Sequence, residues 1–329
     1  MPLNFKSPLF IAVSTLFLLL NRPSMAQSQG RELSPERIVE RLDHAVVEIL
    51  VNGRMSGSGA IISQIGIVAT AAHVISNQDA TIEVLMFDNK RIPATVHAKD
   101  AGHDALLLKI APRVGGYHYL LPSKRSLTTG NRVYMIGTPL FRHRLLFSGT
   151  VAKAKPSAEF LNPHYIQIFY IQSASPHGTS GAVWVNGWGQ YVGIQSSMLW
   201  TNKAPQGVAF ASPYSAIKDL LENPRIVQTA TAGFAVEELS EQSPEYLKNI
   251  SREVRGVVIK VMLKGSPLEA AKIPKDTILT HIDDAVIETR DSFVEIIRSH
   301  APGDLIQATL RDADGHNERI IEIKLGKLQ

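Results

Sequence analysis

From residue 45 to residue 211 the chain is a succession of short aliphatic and β-branched runs, separated by clusters containing Gly, Asn, Asp, Ser or Pro. Residues 45–51 stop at Asn52-Gly53; runs at 60–62, 67–70, 81–87, 92–97 and 105–110 follow. Residues 132–137, 145–152, 165–172, 182–185, 190–194 and 208–211 continue the series. Runs this short, interrupted this often, fit strands better than helices. Asn186-Gly187 between two of them is a hairpin signal, because both residues tolerate the positive φ of a tight turn. The pattern predicts an all-β region, either a double barrel or a sandwich. Short helices bracket it. One starts at Ser34-Pro35-Glu36-Arg37, with a capping serine and a first-turn proline, and reaches about Leu42. The other opens at Ser212-Pro213-Tyr214 and reaches about Glu222.

Around Asn223-Pro224 and Thr229-Ala230-Thr231 the pattern breaks, which places a linker at 226–231. The remainder reads as strands at 234–236, 256–259, 277–282, 305–311 and 318–325, the last two turning at Asp314-Gly315. A short helix at 268–272 follows Gly265-Ser266-Pro267. A longer one at 292–299 puts Phe293, Ile296 and Ile297 on one apolar face. The expected organisation is a leader at 1–26, a first domain at 27–225, the linker, and a second domain at 232–329. There is no long low-complexity tract and no convincing internal repeat.

The leader reading rests on Lys6, the apolar run at 8–20 and the small-x-small site Ser24-Met25-Ala26. The run is short for a bilayer span, which favours a cleaved export signal over an uncleaved membrane anchor. Loss of Lys6 and Arg22 leaves 32 basic against 30 acidic residues, a net charge of +2. Basic residues are scattered, and the densest cluster, Arg142-His143-Arg144, is too short for a nucleic-acid stripe. The absence of cysteine excludes disulfides, thiol nucleophiles, thiolate metal sites and a lipidated N-terminal cysteine. The histidines show no metal-binding spacing, so neither a metal nor a cofactor is expected. Trp184, Trp188 and Trp200 read as core or hairpin packing.

Ser180 lies in Gly178-Thr179-Ser180-Gly181-Ala182, between two glycines that let the chain turn sharply. Taken alone, that is either a surface turn or a serine nucleophile with backbone amides aimed at an oxyanion. Upstream, Thr70-Ala71-Ala72-His73 supplies a histidine past a strand end, and His103-Asp104 supplies an aspartate opening an apolar run. The order His73, Asp104, Ser180 is that of chymotrypsin-type enzymes, with room between members for barrel strands. Ser180 would attack a carbonyl, His73 would carry the proton, Asp104 would fix the imidazole, and the Gly178 and Ser180 amides would form the oxyanion hole.

With those motifs in order, the sequence resembles the HtrA (Deg) family of exported trypsin-like serine proteases. Gly57-Ser58-Gly59 with Thr70-Ala71-Ala72-His73-Val74 is similar to its histidine motif, and His103-Asp104-Ala105-Leu106-Leu107-Leu108-Lys109-Ile110 to its aspartate motif. Gly137-Thr138-Pro139, Ser148-Gly149-Thr150-Val151 and Val208-Ala209-Phe210-Ala211-Ser212-Pro213 fall in family order. The C-terminal part resembles a PDZ domain at 265–271 and 276–279.

The resemblance implies a mainly β chain: a chymotrypsin-like double barrel followed by a PDZ domain. It implies a periplasmic, homotrimeric endopeptidase for unfolded or misfolded envelope proteins, and a PDZ domain that binds hydrophobic peptide C-termini. Ala232-Gly233-Phe234-Ala235 would be the carboxylate loop, and the peptide would add beside Phe234 to Val236. Phe293 and Ile297 would line the groove, with a plain core role the alternative for either.

Several positions depart from the family. The nucleophile motif has Thr179 for Asn and Ala182 for Gly, His177 replaces a usual proline, and Lys275 replaces a PDZ glycine. Two other readings stay open: a collapsed protease fold acting as a PDZ-bearing adaptor, and a site-restricted protease switched on by a PDZ ligand.

Overall fold

A computed structural model describes residues 31–328 apart from 78, 162, 202, 203, 249, 252, 313 and 315. The expected leader, and Gly315 of the expected last turn, lie outside the described residues. Helix α1 (Pro35–Asp43) has Pro35 in its first turn and buries Ile38 and Leu42. Strands β1 (Val46–Val51), β2 (Arg54–Ile61), β3 (Ile67–Ala71), β4 (Ile82–Leu85), β5 (Arg91–Asp100) and β6 (Ala105–Ile110) close into a barrel of order β1-β2-β3-β6-β5-β4. Strands β7 (Arg132–Gly137), β8 (Leu145–Leu161), β9 (His164–Gln172), β10 (Val183–Asn186), β11 (Tyr191–Thr201) and β12 (Ala204–Pro213) close into a second, of order β10-β11-β12-β9-β8-β7. The double barrel, and not the sandwich, is therefore the architecture. Closure removes the sheet edges, and aliphatic side chains fill each interior. Leu106, Leu107 and Leu108 are at most 1% exposed in the first barrel, as are Phe169 and Trp184 in the second. Helix α2 (Tyr214–Glu222) follows, burying Ala216, Ile217 and Leu220.

Three strands run well past their expected ends. β8 was expected to stop at 152, where Lys153-Ala154-Lys155-Pro156 turns polar, but it continues to Leu161. The register shifts between Val151 and Lys153 and again between Lys153 and Ser157, so irregularities take up Pro156 and pairing resumes at Ser157 opposite Ile168. β11 and β12 likewise extend to a shared tip, pairing Thr201 with Ala204.

The C-terminal part holds β14 (Phe234–Glu238), β15 (Val257–Met262), β16 (Ile278–Ile282), β17 (Ala285–Val286), β18 (Leu305–Arg311) and β19 (Glu318–Lys324) in one sheet of order β14-β15-β16-β18-β19, with β17 on β16. β13 (Ala230–Thr231) pairs with β20 (Gly326–Lys327). Helices α3 (Pro244–Leu247) and α4 (Pro267–Ala270) are short. Helix α5 (Arg290–Ser299) is capped by Thr289, whose side chain accepts from the Ser292 amide, and buries Phe293, Val294 and Ile297. The C-terminal part thus sets three helices on a small sheet, one more than the two expected of a PDZ fold, the additional one being the single-turn α3.

The segment joining the two parts is pinned along its length. Lys99 N donates to Arg225 O at 2.9 Å, Val227 N to Lys99 O at 2.8 Å, and Leu328 N to Thr229 O at 2.9 Å.

Candidate active site

His73 sits in the short turn Ala72–Val74 that ends β3. Asp104 follows the turn Ala101–His103, with left-handed backbone angles of φ 52° and ψ 38°. Such angles are uncommon outside glycine, but aspartate is among the residues that tolerate them best. They aim the carboxylate at His73. Asp104 Oδ1 accepts from the His73 amide at 2.9 Å, and Oδ2 pairs with His73 Nδ1 at 2.8 Å. Ser196 Oγ donates the third bond to the carboxylate, reaching Oδ2 at 2.5 Å. Asp104 is 6% exposed, so these donors replace the water it has lost. Burial opposes a charge on His73, but the hydrogen bond and charge of Asp104 outweigh it and hold the ring's pKa above the ordinary histidine value.

Ser180 lines the same cleft as His73 and Asp104, a space of about 390 Å³. Its hydroxyl makes no hydrogen bond to His73 among the described residues; catalytic hydrogen bonds are often long before substrate arrives. The loop before it needs its glycines. Gly178 has φ +97°, and a Cβ there would lie 2.4 Å from Thr138 O; at Gly181, φ +85°, it would lie 2.1 Å from Thr70 Oγ1. Among the described residues neither the Gly178 nor the Ser180 amide donates to another protein group.

The departures from the family motif find places here. Thr179 is 1% exposed and its hydroxyl donates to Pro176 O at 2.8 Å. Ala182 packs in the second-barrel core and is absent from the cleft lining, so its methyl does not narrow the site. His177 stacks on Trp200, ring centroids 5.6 Å apart at 29°. Trp200 is 44% exposed and pairs with Pro205 across the β11–β12 hairpin, so of its two expected roles it takes the hairpin one.

Sequence reasoning missed Ser196, His164 and the wall formed by Leu161 and Ile166. A serine in Gly193-Ile194-Gln195-Ser196-Ser197 carries no local signal, because the three-dimensional path of β11 is what brings it to Asp104. His164 begins β9, and burial, partly opposed by the Asp104 charge, lowers its pKa. Among the described residues no cluster of three or more His, Asp or Glu side chains is placed to hold a metal.

The second candidate site lies between β14 and α5, where Ala232, Phe234, Phe293 and Ile297 line a small space together with Tyr165; Gly233, Ala235 and Val236 are not in that lining. The groove is already filled. Tyr165, from β9 of the second barrel, inserts its ring beside Phe293 (5.9 Å between centroids) and Phe160 (5.1 Å). The Val236 amide donates to the Tyr165 hydroxyl at 2.8 Å, and that hydroxyl donates to Val236 O at 3.1 Å. Nearby, Asp291 Oδ1 accepts from the Ala158 amide at 2.7 Å. Arg298 of α5 donates through Nη2 to Gly102 O at 2.7 Å and to Tyr165 O at 2.9 Å. Burial pushes its pKa down to about 10, against the charge of Asp100. Gly102 is two residues from Asp104, and Tyr165 adjoins two residues of the cleft wall. One hairpin, β8–β9, thus shows one face to the cleft and the other to the groove.

A double β-barrel with an aspartate-bound histidine, and a serine in the lining of the same cleft, is the arrangement of a trypsin-like serine endopeptidase. The trypsin-like peptidase domain family matches residues 57–194. Within that class the chain is similar to HtrA-type proteases. It is 26% identical to "Serine protease PepD" of Mycobacterium tuberculosis over 330 residues, covering 93% of this chain and 69% of that protein. It is 27% identical to "Serine protease HTRA4" of Mus musculus over 74% of this chain, and spans only 52% of the mouse protein. Among solved structures, the HtrA-type protease AlgW with a decapeptide shares the fold at TM-score 0.63 and 19% identity, over 90% of this chain and 99% of that one. The serine endoprotease of Yersinia pestis does so at TM-score 0.59 and 21% identity, over 91% and 100%.

Proposed function

We propose that this chain is an exported endopeptidase that cleaves unfolded or misfolded envelope proteins with His73, Asp104 and Ser180. The observation that carries the reading is the His73–Asp104 pair at 2.8 Å, opening on the cleft that Ser180 lines. With Nδ1 held by Asp104, Nε2 is the nitrogen left to take the Ser180 proton. Ser180 Oγ attacks the peptide carbonyl; His73 then passes the proton to the leaving amine, and a water repeats the sequence on the acyl-enzyme. The Gly178 and Ser180 amides receive the oxyanion, and losing one such donor costs roughly 100–1,000-fold in rate. Residues 1–26 act as a cleaved signal that delivers residues 27–225 and 232–329 to the periplasm, where the protease domain forms trimers.

A second reading, a protease gated by its PDZ domain, is favoured by the Tyr165 contact. A hydrophobic C-terminus entering beside Phe234 to Val236 competes with Tyr165 for the same groove. AlgW, solved with a decapeptide and with a tripeptide, is an HtrA-type relative in fold that takes peptides.

The test is casein cleavage by the mature chain, with and without hydrophobic C-terminal peptides, beside Ser180→Ala. The substitution is expected to lower turnover about a millionfold. Peptide-stimulated cleavage supports gating. Peptide or unfolded-chain binding without any Ser180-dependent cleavage replaces the enzyme reading with an adaptor.

A further inference from the structure

Behind the oxyanion loop lies a buried carboxylate that the chemistry above does not use. Glu48 of β1 is 5% exposed, and its Oε2 has no hydrogen-bond partner. Its Oε1 accepts from Thr138 Oγ1 at 2.5 Å and from His143 Nδ1 at 2.7 Å. Arg144, beside it in the chain, turns instead to the Asp43 carboxylate and backbone. An acid kept in so poor a setting contributes little as a stabiliser, which directs attention to what it holds.

It holds Thr138, and Thr138 opens the segment that touches the nucleophile loop. Glu48 lies opposite Ser58 across the β1–β2 ladder. The Thr138 amide donates to Ser58 Oγ at 3.1 Å, Ser58 Oγ donates to Gly178 O at 2.9 Å, and the Ser58 amide donates to Ser180 O at 2.8 Å. Two residues on, Leu140 N donates to His177 O at 2.9 Å. That last bond matters most. A trans peptide plane sets the carbonyl of one residue opposite the N–H of the next. Fixing His177 O therefore fixes the direction of the Gly178 N–H, one of the two proposed oxyanion donors. The segment needs an anchor, because Leu140 and Phe141 have left-handed backbone (φ 46° and 61°) and are 54% and 72% exposed. Core packing is not what keeps them in place.

We propose that Glu48 is a positioning residue for the oxyanion hole: through Thr138 it anchors residues 138–140, which with Ser58 aim the Gly178 amide. The inference rests on the serine-protease reading of Ser180 and extends it to a residue far away in the chain.

The experiment compares Thr138→Val, Thr138→Ser and Glu48→Gln in the full mature chain. Readouts are kcat and KM on a quenched casein-derived peptide, affinity for a peptide aldehyde whose hemiacetal oxygen occupies the oxyanion hole, and thermal midpoint. Thr138→Val keeps the shape and removes the donor. It should lower kcat about tenfold, short of the loss of a whole donor, leave KM within about twofold, and weaken the aldehyde by the same factor as kcat. Thr138→Ser restores most of that loss. Glu48→Gln, with its charge gone, falls between; if Thr138→Val does not fold, Glu48→Gln must by itself lower kcat and aldehyde affinity together. Unchanged kcat, or Thr138→Ser losing as much as valine, or stability falling while aldehyde affinity holds, each overturns the proposal. Labelling of Ser180 by a fluorophosphonate separates the two levels. A parent chain that does not label sinks the protease reading and this one with it. A labelled parent with an indifferent Thr138→Val sinks only this one.

Discussion

Replacing Tyr165 by Phe removes one oxygen and should make the C-terminal groove bind peptides more tightly. In the closed arrangement that oxygen serves both the amide and the carbonyl of Val236, at 2.8 and 3.1 Å. Tyr165 and Val236 are 8% and 3% exposed, so water has poor access to either group once the hydroxyl is gone. A buried polar group left unpaired costs roughly 1–3 kcal/mol. Local relaxation keeps the total for the two groups within about that range. With the ring withdrawn, both Val236 groups meet water or an incoming peptide strand, so the open form is not penalised. The ring stacking on Phe160 and Phe293 survives in the variant. The closed state alone is destabilised, and the open-to-closed ratio rises by roughly 5–150-fold. Because apparent affinity scales with the competent fraction, a peptide with a hydrophobic C-terminus gains up to that factor, capped once the open form predominates. Fluorescence anisotropy with a labelled peptide, on parent and variant, measures it. Equal or weaker binding by a variant whose melting temperature has dropped would refute the reasoning, since the hydroxyl would then support the fold without competing for the groove.

Ser196→Ala removes one of three donors to Asp104. A hydrogen bond to a charged group contributes about 1.5–3 kcal/mol, so kcat/KM on the same quenched peptide should fall roughly 10–100-fold; a change within twofold would remove Ser196 from the site. The pH profile follows from His73. As general base it must be neutral, and Asp104 holds its pKa above the ordinary histidine value, so the acidic limb of kcat/KM should fall above that value. The linked stability has the opposite sense: the pair's contribution is complete below the unfolded-state pKa and is lost as pH rises through the raised folded one. An acidic limb at or below the ordinary value would mean that burial, and not Asp104, governs the ring.

Local sequence rules reached far into this fold because its elements are short and individually marked. Asn52-Gly53 ends its strand with both residues at positive φ, whereas at the second hairpin Asn186 still belongs to β10 and the positive φ falls on Gly189; α2 (Tyr214–Glu222) starts where its serine-proline signal puts it. The strand from Leu305 to Arg311 has the expected bounds. The places where those rules stopped early are informative. Pro156 and the lysines beside it read as the end of a strand, yet β8 continues, because an irregular register and a docking partner compensate for the lost ladder bond.

The sequence by itself determined the order His73, Asp104, Ser180, the glycines the nucleophile loop needs, and the succession of short apolar runs that form strands. Those are properties of residue type and spacing, which the chain carries before it folds. Only tertiary structure decided that Ser196 reaches Asp104, that Glu48 lies behind Thr138, and that Tyr165 fills the groove between β14 and α5. Each is a meeting of side chains from distant segments, 92 residues apart in the first case, 90 in the second and 71 in the third. No local preference encodes such a meeting. The packing of whole strands and helices brings the partners together, and burial then makes each hydrogen bond costly to break.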